Sequence, residues 1–136
     1  MELEVLIQKD DSRYELVLNP EKDYPINFGL FGEGASVKEA IDDFYISLED
    51  IRELYREENK DFPADLMFVF TFDLPSFLAF YSKKLGYSSL EKIVGVNQRQ
   101  LSQYVQGYRK PSEATVKKIE KGLKEFANEL LEVQFA

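Results

Sequence analysis

"VGVNQRQLSQYVQGYRKPS", residues 94–112, contains no acidic residue, in a chain whose formal net charge is −8. The stretch mixes amides, hydroxyls and cations with a few apolar side chains. Gly95-Val96-Asn97 is a tight connection between two short helical patterns, with glycine where the backbone needs a positive φ. That is the sequence outline of a helix-turn-helix. On the segment that follows, Leu101, Tyr104 and the neighbouring Val105 recur at helical spacing and point one way. Gln98, Arg99, Ser102, Gln103 and Gln106 then share the other side. A merely solvated helix face favours Glu and Lys, which form helix well and stay hydrated. This face instead carries flat amides and a guanidinium, groups whose geometry matches base edges. Glutamine bonds bidentately to adenine, and arginine to guanine, in the major groove. Arg109 and Lys110 follow in the next loop, where cations meet phosphate. Helix N-termini at Ser88 or Ser89 and at Asn97 would add backbone N–H donors to phosphate oxygens.

Working outward, residues 75–136 read as helices only. Leu74, Phe77, Leu78, Tyr81 and Leu85 mark one helix, stopped by Gly86. Ser88, with Glu91 three residues on, opens a second with Leu90, Ile93 and Val94, stopped by Gly95. Asn97 with Gln100 opens a third, stopped by Gly107. Ser112, after Pro111, opens a long fourth, with Val116, Ile119, Leu123, Phe126, Ala127, Leu130 and Leu131 along one side.

Residues 1–74 follow a different pattern. "LEVLIQKD" (3–10) and "YELVLN" (14–19) read as strands joined by the turn "DDSR", an antiparallel hairpin. "YPINFGLFGEG" (24–34) reads as a third strand that bends or bulges at its glycines. Ser36 and Glu39 form a capping box for a helix carrying Val37, Ala40, Ile41, Phe44, Leu48, Ile51, Leu54 and Tyr55 on one side. Asp42, Asp43, Glu49, Glu53 and Glu57 fall on its wet side. Pro63 forbids continuation, and "LMFVFTF" (66–72) reads as a fourth, largely buried strand. The expected fold is thus an α+β module, β-β-β-α-β, over 1–74, followed by an all-α helix-turn-helix module over 75–136.

Charge divides the same way. Residues 1–74 carry 7 Lys/Arg against 19 Asp/Glu, net −12, and residues 75–136 carry 10 against 6, net +4. Two modules with different partners follow, the second compatible with a polyanion. The chain has no cysteine and no histidine. Disulfides, thiolate or imidazole metal sites, and Ser–His or Cys–His nucleophiles are excluded with them. "GLFGEG" (29–34) matches neither a dinucleotide fingerprint nor a phosphate-binding P-loop, so no cofactor and no metal is expected. The longest apolar run is too short to span a bilayer, and "MELEVLI" lacks the cationic start of a signal peptide. A cytoplasmic protein with no membrane partner is the expectation.

"LEKIVGVNQRQLSQYVQGYRKPSEATVKKI" resembles the helix-turn-helix of the Cro/C1 repressor family, also called the XRE family. The shared elements are Leu90, Gly95-Val96, the polar "NQRQLSQ", Gly107, and "RKPS" before an apolar-periodic helix. The resemblance implies that Gln98, Arg99 and Gln103, with Ser102 on the same face, read bases. It places Arg109 and Lys110 near phosphates, where Ser89, Asn97 and Gln106 are expected as well. It also implies a homodimer, or a higher even oligomer, on double-stranded operator DNA with half-sites about 34 Å apart. Two departures stand out: Glu91 where the family usually has alanine, and Val105 where it usually has glutamate.

"FGEGASVKEAIDDFYISLEDIREL" (31–54), after two strands and before another, resembles the N-terminal domain of HicB-type antitoxins. Gly34-Ala35-Ser36-Val37-Lys38-Glu39-Ala40 carries the likeness, and many members join this domain to a helix-turn-helix in the same order. The family's "PDLPGC"-like segment is absent here. The resemblance implies a type II antitoxin that represses its own operon and binds a small basic toxin of HicA type through its acidic half. Two other readings stay open. One is an interaction protein whose helix-turn-helix serves dimerisation and no longer binds DNA. The other is an all-carboxylate, metal-dependent nuclease on the sheet.

Overall fold

The computed structural model describes residues 1–136, which divide by their contacts into two compact units, Met1–Asp73 and Leu74–Ala136. The first is an α+β unit and the second is all-helical, the two fold classes expected from the sequence.

In the first unit, strands β1 (Glu2–Lys9), β2 (Tyr14–Leu18), β3 (Phe31–Gly34) and β4 (Met67–Phe72) form one sheet in the order β3-β2-β1-β4. β1 and β2 are an antiparallel hairpin with Lys9 opposite Tyr14. Its turn is held by the Asp10 carboxylate, which accepts from the N–H groups of Ser12 and Arg13, each at 2.8 Å. This is the local bonding that makes Asp a turn former. β4 runs parallel to β1 along the other edge, reached through helix α1 (Val37–Glu57).

Strand alternation puts Val5, Ile7, Leu16, Phe68 and Phe70 against the Ala40, Phe44 and Leu48 face of α1, where they form the core. The Phe44 ring meets Phe68 and Phe70 edge-on, with centroids 5.1 and 5.6 Å away. The cap of α1 follows the sequence reading in part. The Ser36 hydroxyl accepts from Glu39 N–H at 3.1 Å, but Glu39 reaches back to the N–H of Ala35 rather than to that of Ser36.

Four expectations for this unit are corrected. β4 is an edge strand and not largely buried: Met67 and Val69 are exposed on the face away from α1, and Phe72 is exposed at the strand's end. Its apolar run is continuous in sequence, but α1 covers one face of the sheet only. The third strand is confined to Phe31–Gly34, because Pro25 offers no N–H and Ile26 N–H closes a tight turn onto Tyr24 C=O at 2.7 Å. Asp43 is not simply on the wet side, since its carboxylate accepts from Glu33 N–H at 2.9 Å. Leu54, counted on the core side of the helix, is half-exposed.

Gly32 of "GLFGEG" also finds a physical cause other than a bend. A Cβ on Gly32 would strike the Ala40 carbonyl oxygen and lie 2.7 Å from the Cβ and N of Phe44. The glycine is there because α1 packs directly on the backbone of β3. Strand and helix would have to separate to admit any side chain.

Glu4 anchors the stretch between β2 and β3. Its carboxylate accepts from Asn19 Nδ2 at 2.8 Å and Thr71 Oγ1 at 3.2 Å, and pairs with Lys22 Nζ at 2.7 Å. Tyr24 Oη accepts from its N–H at 2.9 Å. The bond from Lys22, then that from Asn19, hold the Glu4 carboxyl below the usual glutamate range.

The second unit holds α2 (Leu74–Leu85), α3 (Tyr87–Val94), α4 (Gln98–Gln106) and α5 (Glu113–Leu131). Its core joins Leu78 of α2, Leu90 and Val94 of α3, Val96 of the turn, Leu101 and Tyr104 of α4, and Ile119 of α5. A further correction concerns α3, whose N-cap is Gly86 with no side-chain bond, so Ser88 lies inside the first turn. Another concerns the end of α5. Ala127, Leu130 and Leu131 share the apolar side of the helix by spacing but are exposed. α5 has 19 residues and packs on α3, which has 8, so its length of about 28 Å outruns a partner of about 12 Å. No helix of the chain is long and apolar enough to cross a membrane.

Two measurements follow. Gly32→Ala should lower unfolding stability by about 2 kcal/mol in a denaturant titration, the cost of forcing a methyl between packed backbones. Gly29→Ala, with nothing within 4 Å of the new Cβ, should change it by less than about 0.5 kcal/mol. Because the folded-state pKa of Glu4 is depressed, its contribution is present above the ordinary glutamate pKa of roughly 4.3. It is lost as pH falls through the lower folded value. Glu4→Gln should therefore be less stable than the parent at pH 6, with the gap closing in acid.

Candidate nucleic-acid interface

α4 presents its polar side because of what it buries. Leu101 is fully buried and Tyr104 nearly so, three residues apart on one face of the helix. Anchoring those two sets the rotation of the helix about its axis. Gln98, Arg99 and Gln106 then lie exposed, with Ser102 and Gln103 half-buried between them. These five line one continuous surface. The residues expected to read bases are thus brought together. Arg109 joins Asn97, Arg99 and Gln103 along an adjoining groove. Lys110 and Ser89 are exposed but line neither depression.

Both ends of α4 are pinned. At the N-terminus, Asn97 Oδ1 accepts from Arg99 N–H at 2.8 Å, an N-cap. Glu91 Oε1, from α3, accepts from Gln98 N–H at 3.1 Å. The carboxylate also sits at the positive end of the helix dipole, where it is stabilising. Sequence reasoning paired Asn97 with Gln100 as a capping box and kept the α4 amides for phosphate. Instead Gln100 bonds the hydroxyl of Tyr104, and the amides of Gln98 and Arg99 are already occupied. Glu91, which departs from the Cro/C1 pattern, is accommodated by this bond across the α3–α4 turn. Val105, the second departure, packs at the edge of the core.

At the C-terminus Gly107 is left-handed, φ 78°. Its N–H reaches Tyr104 C=O at 3.3 Å, and Tyr108 N–H reaches Gln103 C=O at 3.0 Å. This pair of bonds is the Schellman arrangement, and it requires a residue free to adopt positive φ. Ser112 caps α5 by accepting from Thr115 N–H at 3.2 Å. The basic loop Arg109-Lys110 is thereby held between two fixed helix ends.

Tyr108 and Tyr87 also border the Arg99–Gln103 surface, and sequence reasoning assigned neither a role. The available signal was an aromatic residue directly after the helix-stopping glycine. Elsewhere, no three or more Asp or Glu side chains converge as a metal ion would require. The carboxylates of α1 are spread around the helix or engaged with neighbouring cations, as Asp42 is with Lys38 and Glu53 with Arg56.

The turn between two short helices, with a polar second helix facing outward, defines the second unit as a helix-turn-helix module. Residues 82–125 match the helix-turn-helix family HTH_3, a stretch covering about a third of the chain, from α2 into α5. The family is one of DNA-binding regulators of Cro/C1 type, not of enzymes, so the resemblance found in this segment holds. The match does not extend into the first unit. No curated protein and no solved structure matches the chain.

Removing the cap by Asn97→Ala should destabilise the second unit by about 1 kcal/mol. Arg99→Ala, on the exposed side, should stay within about 0.5 kcal/mol of the parent in the same thermal melt. A large loss of stability in the arginine variant would mean that Arg99 serves the fold.

Proposed function

We propose that the chain is a sequence-specific, DNA-binding transcriptional regulator that inserts α4 into the major groove. Gln98, Arg99, Ser102 and Gln103 read base edges, and Ser89, Asn97, Gln106, Arg109 and Lys110 approach phosphates. Asn97 does so while its side chain caps the helix. The observation that carries this reading is a single carboxylate-free surface of amides and a guanidinium on a helix pinned at both ends. The family match over 82–125 supports the same conclusion. A rigid helix loses little further entropy on docking, so its bidentate contacts convert more fully into discrimination.

The regulator acts as a homodimer or higher even oligomer, which sets half-site spacing on the operator. Supporting this are the overhang of α5 and the residues just after it: Leu130, Leu131, Val133 and Phe135 are all exposed. We further read the chain as a HicB-like type II antitoxin that represses its own operon, with a small basic toxin of HicA type as the partner of its first unit. The sheet face away from α1 carries Glu15 opposite Glu33, with Phe31, Val69 and Met67 exposed on the same side. Carboxylates interleaved with apolar groups suit a basic protein partner, and the unit's net charge would speed the encounter. The rival reading, a helix-turn-helix that has lost DNA, has less support now that Glu91 and Val105 each have a place in the packing.

Binding to duplexes from the region upstream of the chain's own gene, measured by anisotropy at two salt concentrations, tests the proposal. Affinity should fall with salt, log K dropping by about 0.9 per phosphate neutralised for each decade. Lys110→Ala should weaken all duplexes alike and reduce that slope by about one. Arg99→Ala should cost roughly 1–3 kcal/mol on the preferred site and little elsewhere. No binding at low salt, or unchanged affinity in Arg99→Ala with dimerisation intact, overturns the DNA-reading proposal.

A further inference from the structure

Tyr108 stands apart from the aromatic residue that anchors α4. It is 81% exposed, whereas Tyr104, four residues earlier, is 2% exposed. It occupies the second position past α4 in the Schellman arrangement, with its N–H on Gln103 C=O at 3.0 Å. An apolar residue at that position commonly folds back over the last helical turn. Here the ring is left in water, although burying it would have been favourable. Its backbone is nevertheless fixed at both sides, by left-handed Gly107 before it and by the Ser112 cap of α5 shortly after. The ring borders both depressions of the recognition surface, each of which it shares with Arg99 and Gln103. An isolated exposed aromatic needs no explanation, but one held by backbone bonds between the base-facing side chains and the basic loop is positioned for contact.

We propose that Tyr108 is a further specificity-determining residue, whose ring makes an apolar contact with the 5-methyl group of a thymine beside the bases faced by Arg99 and Gln103. This deepens the DNA-reading proposal and rests on it. The chemistry is complementary. The amides and guanidinium of α4 supply polar readout, and none of them recognises a methyl group. Thymine is the base whose major-groove edge is distinguished by one, and an aromatic or other apolar side chain is the group that detects it. The ring has only two side-chain torsions to order, so a fixed backbone leaves little entropy to lose on docking.

The test uses the full chain and a duplex that it enriches from a random-sequence pool. Tyr108→Phe keeps the ring and should bind within about twofold of the parent. Tyr108→Ala should bind about tenfold more weakly, with an unchanged melting temperature because the side chain is exposed. Each thymine of the site is then replaced in turn by deoxyuridine, which removes only the methyl group. One position should cost the parent and the Phe variant about fourfold, the weight of one buried methyl group, and cost the Ala variant nothing. If Phe loses as much as Ala, the hydroxyl is the contact and the proposal is overturned. Unchanged affinity in Ala, or no thymine whose methyl matters differently to Ala and to the parent, also overturns it. In each of those cases DNA reading itself stands. Failure of the parent to enrich any duplex would remove the DNA-reading proposal as well.

Discussion

The burial of Leu101 and Tyr104 in the helical core is the constraint on which the rest of the second unit turns. Two anchors three residues apart leave a helix one rotational setting, and in this sequence that setting exposes its amides and its arginine. A helix held only by its core could still fray or slide at its ends. The Glu91 and Asn97 bonds at the front and the Gly107–Tyr108 bonds at the rear prevent both. The outcome is a short helix of nine residues, far below the length at which isolated helices persist in water, held rigid by tertiary contacts.

The Glu91 bond has an electrostatic consequence. It fills the positive end of α4 with a carboxylate, so this helix offers a polyanion its side chains more than its terminal amides. The cations that face outward near it are Arg99 at its start and Arg109 in the loop beyond. Positive charge near α4 therefore lies on its side and in the loop, while its first turn is neutralised and the rest of its outer face carries uncharged amides. In the first unit some carboxylates are engaged in local pairs and turns, such as Lys38–Asp42, Arg52–Glu49 and the Asp10 turn, while most of the acidic excess has no cation to pair with. Exposed pairs of that kind contribute little to stability. Glu4 differs, because its several partners tie β1 to β4 and to the stretch beyond β2.

The alternation and helical periodicity of the chain, with its capping residues, were enough to determine the number, order and type of elements and which of Gln98, Arg99, Ser102, Gln103 and Gln106 share a face. Those properties are local: they depend on the direction of Cβ along a helix or strand and on bonds spanning three or four residues. The position of β4 at an edge, the bare end of α5 and the reason for Gly32 were decided by the tertiary structure. So were the placing of Glu91 over α4 and of Tyr108 beside Arg99. Each depends on which element lies next to which, and on where a neighbour stops. A run such as "LMFVFTF" is written identically whether one or both of its faces will be covered, and an aromatic after a glycine whether it will fold inward or stand in water. Only assembling the sheet and helices around common cores removes that ambiguity.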